Sequence, residues 1–213
     1  MTAPVVRVIP ILNGQFAENC YLLAEAGSTE GVIVDPGEEP ALFLETAARH
    51  RITIREIWLT HGHIDHVSGV GAVKEATGAP VFLHPLDRPL YEGLPEQARW
   101  FGMTVGPQPS PDRDLAHGGT VTLGRTRFAV RHTPGHSPGS VCFVADGLVI
   151  GGDVLFQGSI GRTDLPGGSF ERLIQSIRDE LLVLPDDTVV YSGHGPATTV
   201  GAERRGNPFL AGV

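Results

Sequence analysis

A polar segment directly after an apolar run sets the strongest limit on how this chain can fold. The run IREIWL at 54–59 is typical of a buried strand, and it leads into THGHIDH at 60–66. The four potential metal ligands in that segment are His61, His63, Asp65 and His66. Imidazole nitrogens and carboxylate oxygens are ligands that zinc and iron accept in proteins. We therefore expect a fold in which a rigid strand presents this segment as part of a metal site.

Three further residues of ligand type stand in the same place relative to strand-like runs. His136 is at the centre of TPGHSPGS, Asp153 ends the stretch GGD, and His194 lies in SGHG. Each follows an apolar run and has glycine beside it, a residue that favours turns. Because strands of one sandwich can end at a common rim, this repeated placement predicts that all seven side chains meet at one site.

The seven residues fit a centre for two metal ions that share one carboxylate. The expected first site consists of His61, His63 and His136. The expected second site consists of Asp65, His66 and His194, with Asp153 as the bridge between the two. Two ions about 3.5–4 Å apart lower the pKa of bound water toward about 7, so the pattern predicts hydrolysis by activated water.

The residue types also limit the metal and suggest one catalytic residue. Zinc is the expected metal, and iron or manganese is compatible with the same ligands. Asp65 is predicted to be catalytic as well as a ligand, because it is close enough to orient the attacking water or accept its proton.

Short strands with interspersed helices are predicted along the whole chain. Apolar runs indicate strands at 5–12, 19–25, 31–35, 54–59, 81–84, 120–123, 127–132, 140–145, 147–151 and 188–192. Apolar periodicity indicates helices at 38–50, 67–77 and 169–183. This order favours an α/β fold with two sheets packed face to face and helices outside. We predict a four-layer αββα sandwich, as a single domain over 1–213.

Two segments carry more specific expectations. The helix at 169–183 is predicted to begin at Ser169 as its N-cap and to bury Phe170 together with Leu173 on its apolar face. The segment 95–118 is rich in proline and glycine, so it is predicted to be a surface loop or a partial lid.

Charge and composition exclude several classes of partner. The formal net charge is −8, and the one lysine, Lys74, has no cluster of basic residues around it. Nucleic-acid binding needs such a cluster and is not expected. No signal-peptide pattern and no membrane-spanning apolar stretch is recognised. We predict a cytoplasmic protein that acts on a small molecule as a monomer or homodimer.

The remaining cysteines and histidines are expected to be structural. Cys20 and Cys142 each lie in a strand-like run, which predicts two buried, reduced thiols and no disulfide. Four histidines lack any ligand pattern around them, namely His50, His84, His117 and His132.

Taken together, these motifs resemble the signature of the metallo-β-lactamase superfamily, and in particular a short glyoxalase II-like hydrolase. The resemblance covers nearly the whole chain. It rests on DPG at 35–37, THGHIDH at 60–66, HPLDRPLY at 84–91, TPGHSPGS at 133–140, GGDVLFQGSIGRTDLPGG at 151–168, GHGPATT at 193–199 and NPF at 207–209. It implies a metal-dependent hydrolase of thioesters such as S-lactoylglutathione, and it supports each metal ligand assigned above.

The resemblance also implies one substrate-binding residue and one departure. Arg162 matches the place of a basic residue that helps to hold glutathione in glyoxalase II enzymes, although a surface arginine paired with Asp164 is the alternative. The C-terminal helical domain of those enzymes is expected to be absent, because the chain ends soon after His194. Another thiol carrier, or a different thioester, therefore stays open.

Competing functions remain. A persulfide dioxygenase of the same superfamily would use a single iron held by His61, His136 and Asp153, but the stretch GHGPATT differs from the His-Asp-Tyr ending expected there. A structural metal module is disfavoured, because structural zinc sites are closed and four-coordinate. The bridging role of Asp153 and the lack of a cysteine ligand argue against a β-lactamase. The net acidity and the lack of a substrate-clamping arm argue against a tRNA-processing nuclease.

Overall fold

The computed structural model of the chain describes residues 5–106 and 108–211 and contains two six-stranded sheets. The first sheet is built from the first half of the chain. Its strands, in spatial order, are β1 (Val6–Asn13), β2 (Glu18–Glu25), β3 (Glu30–Val34), β4 (Thr53–Trp58), β5 (Val81–Leu83) and β6 (Arg113–Asp114). β1 to β3 pair antiparallel, whereas β3 to β6 pair parallel.

The second sheet is built from the second half. Its strands, in sequence order, are β7 (Thr120–Leu123), β8 (Thr126–His132), β9 (Val141–Ala145), β10 (Leu148–Gly152), β13 (Val189–Ser192) and β14 (Thr198–Thr199). Their spatial order is β14-β13-β10-β9-β8-β7, and only β10 and β13 pair parallel. A separate small hairpin consists of β11 (Leu155–Phe156) and β12 (Ser159–Ile160).

The helices lie in the connections between strands. They are α1 (Pro40–Arg49), α2 (Ile64–Val67), α3 (Val70–Thr77), α4 (Arg88–Glu92), α5 (Leu94–Phe101), α6 (Phe170–Ser176) and α7 (Val200–Gly206). A π-helical turn over Ile177–Leu181 extends α6. No helix in the described part of the chain has the length and hydropathy needed to cross a membrane.

Three apolar clusters fill the spaces between four layers. The first joins helical residues such as Phe43 and Val73 to one face of the first sheet. The second lies between the sheets, where the Trp58 ring centroid is 5.3 Å from that of Phe128. The third joins the other face of the second sheet to α6, through residues such as Leu173. Both sheets are therefore buried on both faces, and the predicted αββα sandwich is confirmed.

The segment predicted to be a loop or lid is partly helical. Within 95–118 the structure has most of α5 as well as β6, and the other described residues of the segment belong to no helix or strand. Pro95, the first proline of this segment, stands in the first turn of α5, where proline costs no hydrogen bond. The buried Gln97 side chain fastens α5 to the rest of the molecule by donating to the carbonyl of Leu90 at 2.8 Å.

The helix predicted at 169–183 begins where it was predicted to begin, but one residue assigned to its apolar face is exposed. The Ser169 hydroxyl accepts a hydrogen bond from the Arg172 N–H, as an N-cap does. Phe170, however, is 45% exposed and is not part of the core. α7 was not predicted; the Thr199 hydroxyl caps it by accepting from the N–H of Ala202. Both cysteines are buried free thiols, as predicted.

Candidate metal centre

Every predicted ligand lies just past the end of a strand, at one end of the sandwich. His61 and His63 lie between β4 and α2, Asp65 and His66 lie in α2, His136 lies between β8 and β9, Asp153 follows β10, and His194 follows β13. Backbone hydrogen bonds hold the two sheets together here. The Val141 N–H donates to the Thr60 carbonyl at 2.8 Å, and the Asn19 N–H donates to the Gly193 carbonyl at 2.8 Å. Loops from both halves of the chain are thus fixed against one another.

The first predicted group, His61, His63 and His136, forms one cluster of buried imidazoles, called here the His61 group. Nδ1 of His63 lies 2.8 Å from Nε2 of His136, and that nitrogen lies 3.2 Å from Nε2 of His61. The other ring nitrogen of His136 lies 2.8 Å from the carbonyl oxygen of Arg162 and can donate its proton there. The Nε2 lone pair of His136 is then free to face the other two rings.

The second predicted group, Asp65, His66 and His194, lies beside the first and is called here the His66 group. Oδ2 of Asp65 is 3.3 Å from Nε2 of His194 and 3.7 Å from Nε2 of His66.

Asp153 lies between the two groups. One carboxylate oxygen is 3.3 Å from Nε2 of His66. The other is 3.5 Å from Nε2 of His194 and 3.6 Å from Nε2 of His136. The structure thus brings all seven side chains close together, with Asp153 between the two groups. That they bind metal, with Asp153 as a bridge, stays a prediction.

Two buried atoms at the centre have no hydrogen-bond partner among the described residues. They are Nε2 of His66 and Oδ1 of Asp153, which face each other at 3.3 Å without forming a well-oriented hydrogen bond. Unpartnered polar atoms in a protein interior are rare and costly. Nitrogen and oxygen donors converging around such atoms are what a metal ion requires, so the residues fit a two-ion centre.

The His61 group is held in the form that binds metal. Burial, reinforced by the neighbouring imidazoles, lowers the pKa of His61 well below its usual value. Burial and the charge of His136 lower the pKa of His63 to about 3. Both rings are therefore neutral at pH 7, and a neutral imidazole has a lone pair available for a cation.

In the His66 group the pKa of the buried histidine shifts the other way. Burial opposes a charge on His66, but the carboxylates of Asp153 and Asp65 outweigh it and raise its pKa. Burial likewise opposes ionisation of Asp153, yet the charge of His66 lowers the pKa of that carboxyl. The acidic side chains thus stay ionised and favour positive charge at this point, which a metal ion would supply.

Asp35 orients the ligands and was not predicted as a site residue. One oxygen of its carboxylate accepts from the Thr60 N–H at 2.7 Å, and the other lies 3.0 Å from Nδ1 of His66. That contact leaves Nε2 of His66 to face the centre. The residue has a positive φ of 51°, which asparagine and aspartate tolerate better than most residues. The sequence DPG indicated only a turn.

Asp35→Asn is expected to weaken metal binding without unfolding the chain. Asparagine tolerates the same backbone conformation and keeps one acceptor oxygen, but it no longer holds His66 by charge. Partners of this kind typically change metal affinity by about 10–100-fold. Competition with a chromophoric chelator would measure the change, with the exposed carboxylate variant Asp179→Asn as control. Equal affinity in Asp35→Asn and the parent would exclude the orienting role.

Asp87 is a second buried carboxylate that was not predicted. It is 0% exposed and accepts from the Gly62 N–H at 2.9 Å, the Ser137 hydroxyl at 2.6 Å and the Gly139 N–H at 2.5 Å. Gly62 belongs to the loop of His61 and His63, whereas the other two donors follow His136 in its loop. One side chain therefore holds the two loops of the His61 group in register.

Gly193 leaves the space in which the second group is assembled. A Cβ atom at this position would lie 2.2 Å from Oδ1 of Asp153 and 2.6 Å from Cε1 of His66. Both neighbours are buried and cannot move aside, so a larger residue before His194 is incompatible with this arrangement.

Arg162 lies at the rim of the centre and not in it. Its side chain is 56% exposed, and two guanidinium nitrogens contact Asp164 at 2.7 and 2.8 Å. The pairing with Asp164 that was considered as an alternative is therefore present in the structure. A substrate-binding role for Arg162 stays a prediction.

A cavity of about 450 Å³ opens directly onto the centre. Five of the seven predicted ligands line it, namely His63, Asp65, His136, Asp153 and His194. Most of the remaining wall is apolar and aromatic, with residues from α5 and from the turn between β1 and β2. A small molecule in this cavity would meet both groups of ligands at once.

The fold and the site define a class of protein. The sequence model of the "Metallo-beta-lactamase superfamily" matches residues 13–194, and the chain belongs to that superfamily.

Matches to individual proteins cover nearly the full length of the chain. The chain is 39% identical over 209 residues to "Hydroxyacylglutathione hydrolase GloC" of Haemophilus influenzae, covering 96% of this chain and 97% of the relative. It is similar to the crystal structure of "BLEG-1 B3 metallo-beta-lactamase" at a TM-score of 0.91 and 40% identity, covering 97% of this chain and all of the other. It is also similar to the crystal structure of "TTHA1623 in a di-iron-bound form", at a TM-score of 0.88 and 44% identity. That match covers 95% of this chain and all of the other.

One further solved structure is a more distant neighbour. The crystal structure of "ETHE1 from Myxococcus xanthus" has a TM-score of 0.80 and 28% identity, covering 97% of this chain and 85% of the other.

Proposed function

We propose that this chain is a hydrolase with two metal ions that cleaves thioesters. The observation that carries the proposal is the convergence of two ligand groups on one bridging carboxylate, Asp153, at the end of a small-molecule cavity. The His61 group would hold one ion and the His66 group the other. Bound ions of this kind supply activated water at neutral pH and electrostatic stabilisation of an oxyanion.

Asp65 is the residue we assign to handling the water. Its carboxylate is partly open to the cavity, with 17% of the side chain exposed, and it is 3.3 Å from His194. Burial opposes its ionisation, but the charge of His66 and a hydrogen bond with His194 lower its pKa. An ionised carboxylate at the cavity wall can orient a water molecule and accept its proton.

A thioester needs less acid catalysis for its cleavage than an ester or an amide does. Hydrolysis adds water across the carbon–sulfur bond and releases a carboxylate and a thiol. Thiolate leaves readily, so the reaction does not require a strong general acid. The resemblance to hydroxyacylglutathione hydrolase GloC supports this substrate class.

Zinc is the metal we propose for the centre, and the di-iron neighbour keeps iron as an alternative. Arg162 is proposed to contact the substrate from the rim of the cavity, which requires its guanidinium to release Asp164.

The deciding experiment measures metal content and thiol release on one anaerobically purified sample. We expect two ions per chain and rapid thiol release from S-lactoylglutathione or another thioester. Removal of metal with a chelator should abolish release, and added zinc should restore it. A β-lactam should be tested in parallel, because one neighbour is named a B3 metallo-β-lactamase. Turnover of the β-lactam with no thiol release would overturn the thioester assignment.

The second candidate is a persulfide dioxygenase that uses one iron at His61, His136 and Asp153. The similarity to ETHE1 favours it, since these three residues are among the seven side chains that converge at the centre. A single iron per chain, oxygen uptake with a persulfide and no thiol release would support this reading and exclude the hydrolase.

A further inference from the structure

Part of the cavity wall, away from the candidate metal ligands in sequence, is aromatic and partly exposed. Phe16, in the turn between β1 and β2, packs edge-to-face on Phe101 of α5 at 5.1 Å between ring centroids. Trp100 of α5 also lines the cavity and is 57% exposed, and Phe101 is 37% exposed. We call these three residues the aromatic wall. Exposed rings beside a reacting centre are typical of a surface that an apolar ligand covers.

The charged residues of the cavity also favour an uncharged ligand. Among the described residues that line it, Arg162 is the only lysine or arginine, and its guanidinium is paired with Asp164. The other charged residue away from the ligand groups is Glu96, an acid. A thiol carrier with several carboxylates would therefore meet one cation that is already paired and one acidic side chain that repels it. An uncharged group would enter the cavity without either electrostatic cost.

α5 is held firmly enough to act as a fixed wall. The Gln97 side chain accepts from the Ile64 N–H at 3.0 Å and donates to the carbonyl of Leu90 at 2.8 Å. Ile64 is the first residue of α2, which carries Asp65 and His66. The position of the aromatic wall is thus tied to the position of the metal ligands, as a surface that sets specificity requires.

We propose that the aromatic wall binds an uncharged apolar group of the substrate, so that the preferred thioesters have an alkyl or aryl chain on one side of the sulfur and not a polyanionic carrier. The inference rests on the proposed thioester hydrolysis. Its occupant is the substrate because the wall is continuous with the ligands in one cavity.

The kinetic test uses two series of uncharged thioesters. One lengthens the acyl group from acetyl to hexanoyl on N-acetylcysteamine, and the other lengthens the thiol of an acetyl thioester from ethanethiol to hexanethiol. Burial of four added methylene groups should raise kcat/KM at least about tenfold in one series. Trp100→Ala should reduce that gain to about threefold or less. Val183→Ala, an exposed apolar position outside the cavity, should keep the gain.

A binding measurement separates this inference from the proposed function. The uncleavable S-hexyl thioether of N-acetylcysteamine should shift the emission of Trp100 to shorter wavelength, with or without chelator, and S-methylglutathione should not. Trp58 is fully buried and should not respond. Thioether binding without any thioester hydrolysis would refute the proposed function and retain the wall. No gain in kcat/KM in either series would overturn the inference. Emission of Trp100 that is already at short wavelength in the free chain, because a second copy covers the ring in a dimer, would overturn it too.

Discussion

Asp153→Asn is expected to remove at least one of the two ions and to lower thioester hydrolysis by about a thousandfold or more. The Asp153 carboxylate is the group that lies within 3.6 Å of His66, His136 and His194 at once. Asparagine has nearly the same shape but only one acceptor oxygen and no charge, so it cannot serve both groups. Loss of an ion removes several kcal/mol of charge stabilisation, which corresponds to this factor in rate.

Metal content per chain and kcat for one thioester would be measured together on the same preparation. Asp146→Asn is the matched control, because this exposed carboxylate lies in the turn at the other end of β10. It should keep both ions and the full rate. Two ions and undiminished turnover in Asp153→Asn would show that the bridge is not needed. A circular dichroism spectrum like that of the parent would exclude misfolding as the cause of a loss.

Asp87→Ala is expected to destabilise the chain by roughly 3–5 kcal/mol even without metal. The substitution leaves the buried N–H groups of Gly62 and Gly139 without an acceptor, and each such group costs about 1–3 kcal/mol. It also removes an acceptor of the Ser137 hydroxyl. Denaturant unfolding in the presence of a chelator measures this effect apart from any loss of ions.

The surface variant Asp114→Ala provides the comparison for this prediction. Its side chain is 59% exposed and contacts Arg88 at 2.7 Å, and exposed ion pairs contribute about 0–1 kcal/mol. Similar losses for Asp87→Ala and Asp114→Ala would contradict the role of Asp87 in joining the two loops. In the presence of zinc, Asp87→Ala should additionally reduce affinity at the His61 group, because the loops are no longer held in register.

The clustering of the seven candidate ligands was predictable because their pattern is local and repeated. His61, His63 and their neighbours crowd one short segment after an apolar strand, and Asp153 and His194 follow strands in the same way. A strand delivers its following residue to the rim of a sheet whatever the rest of the chain does. The layer order was predictable for a similar reason, since runs buried on both faces must lie inside a sandwich.

The residues that support the ligands were not predictable from their local sequence. Asp35 precedes Pro36 and Gly37 and resembles any turn aspartate, yet its partner His66 lies far along the chain. Asp87 directly precedes α4 as its N-cap residue, a place where aspartate is common, and its partners lie in two distant loops. Such roles exist only once the tertiary structure has brought the donors together.

Helix α5 was not predicted, for a different reason. Pro95 and the glycines that follow α5 dominate the composition of the segment, so a short amphipathic helix was hidden among residues typical of loops. The exposed rings of Trp100 and Phe101 weaken the pattern further, because an apolar residue that faces a cavity breaks the usual contrast between core and solvent.

The hydrogen bonds that fasten loops of one sheet to strands of the other have a consequence for the turnover of the protein. The two ligand groups exist only when both halves of the chain are stacked, so an unfolded chain offers ions no comparable site. By mass action, an ion present at a hundred times its dissociation constant favours the folded chain by about 2.7 kcal/mol. Starvation for the metal would therefore enlarge the unfolded pool that proteases remove, and the amount of protein in a cell would follow the supply of its ion.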